Sequence, residues 1–72
     1  MERYLDVNGD SGVVGYEIGD TYIRVKFSGT TRIYTYSYQS AGMNRVENMK
    51  RLARSGDGLN SYIMRYAKKL YE

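Results

Sequence analysis

The sequence predicts an α+β domain in which three antiparallel strands form a meander and two C-terminal helices pack on one face of the sheet. Polar and apolar residues alternate through much of residues 13–38, as in half-buried strands. Beyond Ser37 the apolar spacing becomes helical, and the run Ser55–Gly58 (SGDG) divides the helical part in two. Strands followed by helices are typical of an α+β architecture, so a single domain over residues 13–72 is expected.

Composition limits what can stabilise the fold. The chain has 72 residues and no cysteine, so packing must replace disulfides and thiolate metal sites. Nine tyrosines and one phenylalanine supply much of the bulk. Residues 1–12 are polar and contain the turn pair Asn8-Gly9, so a short and mobile N-terminal segment is expected, with a short edge strand at 3–7 as the alternative. Neither a signal peptide nor a membrane span is recognisable, which predicts a cytoplasmic protein.

Charge is distributed unevenly along the chain. Residues 1–20 hold five acidic residues against one arginine, a net charge of −4. Residues 21–72 hold ten basic residues against three acidic ones, a net charge of +7. A basic body is compatible with an anionic partner, and equally with simple solubility.

The first two strands are predicted at 13–18 and 21–27. Gly19-Asp20 between them is typical of a two-residue hairpin turn of the primed type, which would place Tyr16 opposite Ile23. Turn and pattern then agree, because the apolar residues of both strands meet on one face. The expected members of this core face are Val14, Tyr16, Ile18, Ile23, Val25 and Phe27.

The third strand is predicted at 32–38. The face to which its tyrosines point depends on the length of the preceding loop. A two-residue loop at Gly29-Thr30 or a four-residue loop at 28–31 places Tyr34 opposite Val25, and both Tyr34 and Tyr36 in the core. A three-residue loop would turn them to the other face, but it needs a threonine at positive φ, which a β-branched residue resists. The core placement is therefore predicted.

Helices are predicted at 43–54 and 59–71. The first buries Val46, Met49 and Ala53 and turns Lys50 to solvent. The second follows an amphipathic series and exposes its cations. Its predicted core residues are Leu59, Tyr62, Ile63, Tyr66, Ala67 and Leu70, and its exposed cations are Arg65, Lys68 and Lys69.

One acidic stretch has the spacing of a calcium-binding loop, from Asp6 to Glu17 at the twelfth position. Ser11 stands where that loop needs glycine, and Glu17 lies on a predicted strand. A solvated turn is therefore expected, with no metal and no cofactor.

Several short motifs follow one another in order over residues 7–71. They are Val14-Gly15-Tyr16-Glu17, Ile23-x-Val25-x-Phe27, Gly29, Tyr34-x-Tyr36, Ala53-x-Ser55-Gly56, Leu59-Asn60, Ile63 and Tyr66. In this order they resemble the KTSC domain, which occurs at the C-terminus of some lysyl-tRNA synthetases and as free-standing bacterial proteins. The loop after Phe27 is longer than in that family, and the Val-Pro that typically follows Tyr-x-Tyr is missing. The resemblance implies a bacterial or phage source, and RNA binding is suspected for the family from the synthetase context.

Two functions remain open, and neither is enzymatic. Without histidine or cysteine the chain lacks the commonest general base and the strongest nucleophile. Tyr22, Arg24 and Lys26 alternate on the sheet face opposite the helices, a composition typical of a small platform for RNA or single-stranded DNA. Arg32 is a further candidate phosphate contact.

The alternative is a protein–protein interaction or self-association module on the same face. Val13, Tyr22 and Ile33 form an apolar strip there, and a small domain without disulfides can gain burial by dimerising. Steep salt dependence of binding would favour nucleic acid, whereas a concentration-dependent mass would favour a dimer.

Overall fold

The structure is a computed structural model that describes residues 1–7 and 12–72. Within these residues a four-stranded antiparallel sheet, whose strands are neighbours in chain order, is covered on one face by helices, which confirms the α+β class. The strands are β1 (Glu2–Arg3), β2 (Val13–Ile18), β3 (Tyr22–Phe27) and β4 (Ile33–Ser37). The helices are α1 (Tyr38–Ala41), α2 (Met43–Ser55) and α3 (Leu59–Tyr62), and α3 continues as a π-helical turn (Ile63–Ala67). No helix in the described ranges is long and apolar enough to cross a bilayer.

The strand that was not predicted is β1, so the expected count of three strands is wrong by one. Glu2 and Arg3 are both exposed and pair with β2, and two polar residues carry no alternation that could reveal a strand. Tyr4 follows them into the core: it is 3% exposed, and its hydroxyl accepts a hydrogen bond from the backbone N–H of Leu59 at 3.2 Å. The Asn8-Gly9 turn and the middle of the calcium-like spacing lie outside the described residues.

The β2–β3 register differs by two residues from the predicted one. Tyr16 lies opposite Val25, not Ile23, because the hairpin turns at 20–21 and is closed by Gly19 N–H donating to Tyr22 O at 2.9 Å. The ring of Tyr22 folds onto the turn, and a Cβ at position 19 would lie 2.1 Å from it. A shift of two residues preserves the side-chain face, so Tyr16 still points toward the helices.

A β-bulge between Val13 and Gly15 reverses the predicted roles of the two valines. Val13 is 2% exposed and lies in the core, whereas Val14 is 42% exposed. A bulge inserts one residue into a strand, and the side chains beyond it change face. In the predicted apolar strip on the uncovered face, exposed Val14 therefore takes the place of Val13.

The β3–β4 register is as predicted. Val25 lies opposite Tyr34 and Ile23 opposite Tyr36, and Gly29 in the loop has a φ of +82°. Tyr36 is 1% exposed, whereas Tyr34 is half-buried at the rim of the core.

The chain changes from strand to helix at Ser37, earlier than predicted. The Ser37 side chain accepts a hydrogen bond from Ser40 N–H at 3.0 Å, and the Ser40 side chain accepts one from Ser37 N–H at 3.0 Å. This reciprocal capping box begins α1 and ends β4. Gly42, with a φ of +90°, then separates α1 from α2.

The last helix ends sooner than predicted, and its π-helical turn changes which residues it buries. Leu59, Ile63 and Ala67 are completely buried, but Tyr66 is 50% exposed, so its predicted place in the core is wrong. A π-helical turn closes through i→i+5 hydrogen bonds and is wider than an α-helical one. Residue 66, three positions after Ile63, is therefore rotated away from the core.

The core otherwise contains the residues that the sequence predicts for it. Ile23, Val25, Tyr36 and Ile63 are fully buried. Packed against them and partly buried are Tyr16, Phe27, Tyr34 and Tyr62.

Gly56 gives a test of how the N-terminal segment is attached. It caps α2 with a φ of +78°, and its carbonyl accepts a hydrogen bond from Val7 N–H at 2.8 Å. A Cβ here would lie 2.7 Å from Leu5 Cβ, whereas a Cβ on Gly29 would have no neighbour within 4 Å. Gly56→Ala should lower the free energy of unfolding by about 2–3 kcal/mol, and Gly29→Ala by only about 1–2 kcal/mol, because both strain the backbone but only the first also meets a neighbour. Urea unfolding measures both, and equal losses would contradict the packing of Leu5 on Gly56.

Candidate nucleic-acid interface

Tyr22, Arg24 and Lys26 share the uncovered face of the sheet, as the sequence predicts. Arg24 is already engaged there. Its Cζ lies 4.9 Å from the centre of the Tyr22 ring, and its Nη1 lies 3.5 Å from Glu17 Oε1. Because the Tyr22 ring also packs on Gly19, little of it remains open for stacking.

Arg32 is not part of this group. It lies just before β4 and two residues before Tyr34, so its side chain points to the same, helix-covered side of the sheet. Its Cζ lies 4.9 Å from the centre of the Tyr34 ring and 5.4 Å from that of Tyr71. The structure thus separates Arg32 from the other residues proposed to bind nucleic acid.

The rings beside Arg32 border a cavity of about 340 Å³ between the end of the sheet and the last helix. We call it the aromatic cleft. Its lining residues are Phe27, Thr30, Tyr34, Tyr36, Met64, Lys68, Lys69 and Tyr71.

The rings of the cleft contact one another edge to face. The ring centres of Phe27 and Tyr34 are 5.4 Å apart, and those of Tyr34 and Tyr71 are 4.8 Å apart. Tyr71 reaches this position because the chain leaves the helix after Ala67 and returns to the sheet, where Glu72 N–H donates to Thr35 O at 2.8 Å. Burial, and then the neighbouring Tyr34 and Tyr71, raise the pKa of Tyr36 to about 12, so its hydroxyl stays neutral at physiological pH.

The electrostatics of the cleft are basic. Lys68 and Lys69 are exposed at its wall, and Arg32 is exposed over its rings. Within the described chain, no acidic residue lines the cleft, and the ion pairs involve Arg24 and Lys50 instead. Glu72 is the acidic residue adjacent to it in sequence. Arg32 is therefore held by rings while Lys68 and Lys69 are exposed, and none of the three pairs with a carboxylate among the described residues.

Sequence reasoning missed most of this cleft. It placed Tyr34 and Tyr36 on the core face, where Tyr36 is buried and Tyr34 half-buried, but it extended the last helix to residue 71 and so assigned Lys68 and Lys69 to a solvated helical face. The sequence did contain one indication of the cleft, because Lys68 and Lys69 lie within three residues of Tyr71 along the chain. Periodicity alone does not show that the chain folds back onto β4.

A cluster of polar groups surrounds Lys50. The sequence predicts that Lys50 faces solvent, and this prediction is wrong. Lys50 is 5% exposed; its Nζ donates to Asp20 O at 3.0 Å and lies 2.8 Å from Glu47 Oε2. The Tyr38 hydroxyl donates to the same Glu47 oxygen at 2.6 Å.

The pKa directions follow from these contacts. Hydrogen bonds from Lys50 and then Tyr38 lower the pKa of Glu47, and the bond to Glu47 raises the pKa of Tyr38. The lysine ammonium joins α2 to the β2–β3 turn, which is a structural role. Through the described ranges of the chain, no cluster of three potential metal ligands is found.

Comparison with protein-family models, with curated proteins and with solved structures finds no match to this chain, so the resemblance to the KTSC domain stays a prediction.

Proposed function

We propose that this chain binds single-stranded nucleic acid, RNA or DNA, weakly and without strong sequence preference, and that the aromatic cleft is its principal contact. One observation carries the proposal: Arg32, Lys68 and Lys69 surround a group of tyrosine rings to which no carboxylate of residues 1–7 and 12–72 contributes a lining atom. The cytoplasm, expected from the sequence because no signal peptide or membrane span is recognisable, is where such a partner would be met.

The chemistry of the cleft suits an unpaired nucleotide. Stacking of a base on an aromatic side chain contributes about 1–3 kcal/mol and tolerates any base, because every base has a π face. A cavity of about 340 Å³ is at the lower end of the range for small-ligand sites. It has room for a base.

Arg32 has two ways to take part. Its guanidinium is held over Tyr34 and Tyr71 by cation–π contacts, so it can move to a phosphate or present its plane to a base. Lys68 and Lys69 are flexible cations at the wall, suited to phosphates. Contacts of these kinds depend on charge and ring surface, which accounts for weak sequence preference.

The uncovered sheet face has a smaller role in this proposal. Arg24 would have to give up Glu17 and Tyr22 before it could bind a phosphate. Lys26 has no ion pair or cation–π contact of this kind with any residue that the structure describes. The self-association alternative keeps a small apolar strip on this face, because exposed Val14 takes the place of buried Val13 beside Tyr22 and Ile33.

Titration of labelled oligothymidylate and oligouridylate with the protein tests the proposal. Binding should be measurable at low salt, and log K should fall with log salt with a slope of about −2 if three phosphates are contacted. Absence of binding at low salt would overturn the proposal. If the mass of the protein alone then rises with its concentration at fixed salt, self-association takes its place.

A further inference from the structure

A second cavity, of about 610 Å³, lies against the last helix on the other side of Met64. We call it the tyrosine cavity. Its lining includes Leu52, Ser61, Tyr62, Met64, Arg65 and Tyr66. Met64 also lines the aromatic cleft, so this one side chain, 46% exposed, forms a wall shared by both cavities.

The π-helical turn brings this surface outward. Met64, Arg65 and Tyr66 all belong to it and all are exposed. Tyr66 is 50% exposed, and its ring centre lies 4.9 Å from that of Tyr62 at an angle of 47°. A half-open ring supported by a second ring is a surface on which a base can stack. π-Helical turns are frequent at functional sites, and here the turn exposes a ring that an α-helix would bury.

Cations surround the tyrosine cavity and are positioned by neutral groups. Arg45 Nε donates to Tyr66 O at 3.1 Å, and its Nη1 donates to Ala41 O at 3.4 Å. Arg65 lines the cavity itself.

On the opposite side, Arg51 donates to Asn48 Oδ1 at 3.5 Å, and Asn48 donates in turn to the Tyr62 hydroxyl at 3.3 Å. Asp57, next to Gly58 at the cavity, is the acidic residue adjacent in sequence to a lining residue. The balance around the cavity is basic, as in the aromatic cleft.

We infer that the two cavities form one path, and that a single strand bound in the aromatic cleft continues across Met64 so that a second base stacks in the tyrosine cavity. The inference rests on the proposed function. It follows from the shared wall and from the repetition of aromatic rings beside cations on both sides of it. Methionine is suited to this position, because its flexible thioether adapts to different neighbours.

The path predicts how affinity depends on strand length. A strand that reaches both cavities gains from the second contact through its high effective concentration, whereas a strand too short to cross Met64 does not. Tyr66→Leu removes the ring but keeps an apolar, helix-compatible side chain. It should weaken long oligothymidylates about fivefold or more, and the shortest strands that bind measurably by about twofold at most.

Two further variants separate the possible outcomes. Tyr34→Leu, in the aromatic cleft, should weaken strands of every length, and Tyr22→Leu, on the uncovered sheet face, serves as the matched control and should weaken binding clearly less than Tyr34→Leu at every length. If Tyr66→Leu has no effect at any length while Tyr34→Leu weakens binding, the path is wrong and the proposed function stands. An equal loss with Tyr66→Leu at every length would also overturn the path, because it would show an independent site. If the unmodified protein binds no strand, the proposed function itself fails.

Discussion

Replacing Tyr36 with alanine is expected to lower the free energy of unfolding by about 3–5 kcal/mol, the usual loss for a large buried ring. Tyr36 is 1% exposed in the middle of the core, opposite Ile23, and its ring is 6.2 Å from that of Tyr71. A domain of this size has a total stability of about 4–11 kcal/mol at the usual contribution per residue. The substitution should therefore remove a large part of the stability, and urea or thermal unfolding followed by circular dichroism measures it.

Tyr66→Ala is the matched control for this experiment. It removes the same side chain from a site that is 50% exposed, and alanine favours the helical backbone there. The expected loss is well below that of Tyr36→Ala. Tyr36→Phe keeps the ring and should cost about 1 kcal/mol at most. If Tyr36→Ala and Tyr66→Ala unfold at the same denaturant concentration, the burial of Tyr36 is contradicted.

The parts of the fold that could be predicted depend only on which face of the sheet each side chain points to, which alternates from one residue to the next along a strand. Strand alternation and the allowed loop lengths both place Tyr34 and Tyr36 on the face of Ile23 and Val25, and the β3–β4 register confirms it. The β2–β3 register was wrong by two residues, yet the faces were right, because a shift of two leaves each side chain on its side.

The parts that could not be predicted depend on local departures from regular geometry. The bulge after Val13 adds a residue to the strand and exchanges the two valines, and the π-helical turn rotates Tyr66 out of the core. Neither the bulge nor the π-helical turn can be recognised from the spacing of hydrophobic residues in the sequence. Lys50 was missed for another reason: its burial depends on partners, Asp20 O and Glu47, whose spatial arrangement exists only in the folded chain.

The fold does not bring together all four residues that the sequence predicts for nucleic-acid binding, because Arg32 lies apart from Tyr22, Arg24 and Lys26. Sequence alternation correctly put Tyr22 and Arg24 on one face. It could not show that the Tyr22 ring packs on Gly19 or that Arg24 forms an ion pair with Glu17. The aromatic cleft combines residues from β3, the following loop, β4, the last helix and the C-terminal return of Tyr71. A combination of this kind requires the tertiary fold.

Neutralising the lysines of the cleft should reduce the salt dependence of nucleic-acid binding more than neutralising the cations of the uncovered sheet face. Lys68 and Lys69 are exposed beside the cleft rings, so each is free to bind a phosphate. Each lost contact should make the slope of log K against log salt shallower by about 0.7 for a single strand. The double variant Lys68→Gln/Lys69→Gln should therefore flatten the slope by about one to two units and weaken binding to all sequences alike.

Arg24→Gln/Lys26→Gln is the matched control, since both double variants reduce the net charge of +3 by two. Non-specific attraction that depends only on net charge would be lost equally from both. A localised contact would be lost mainly from the cleft variant, because Arg24 is already paired with Glu17 at 3.5 Å. Titration of labelled oligothymidylate across a salt series measures both slopes, and circular dichroism verifies that each variant is folded. A larger effect of Arg24→Gln/Lys26→Gln would move the binding site to the uncovered sheet face, and equal effects would leave the aromatic cleft without a special role.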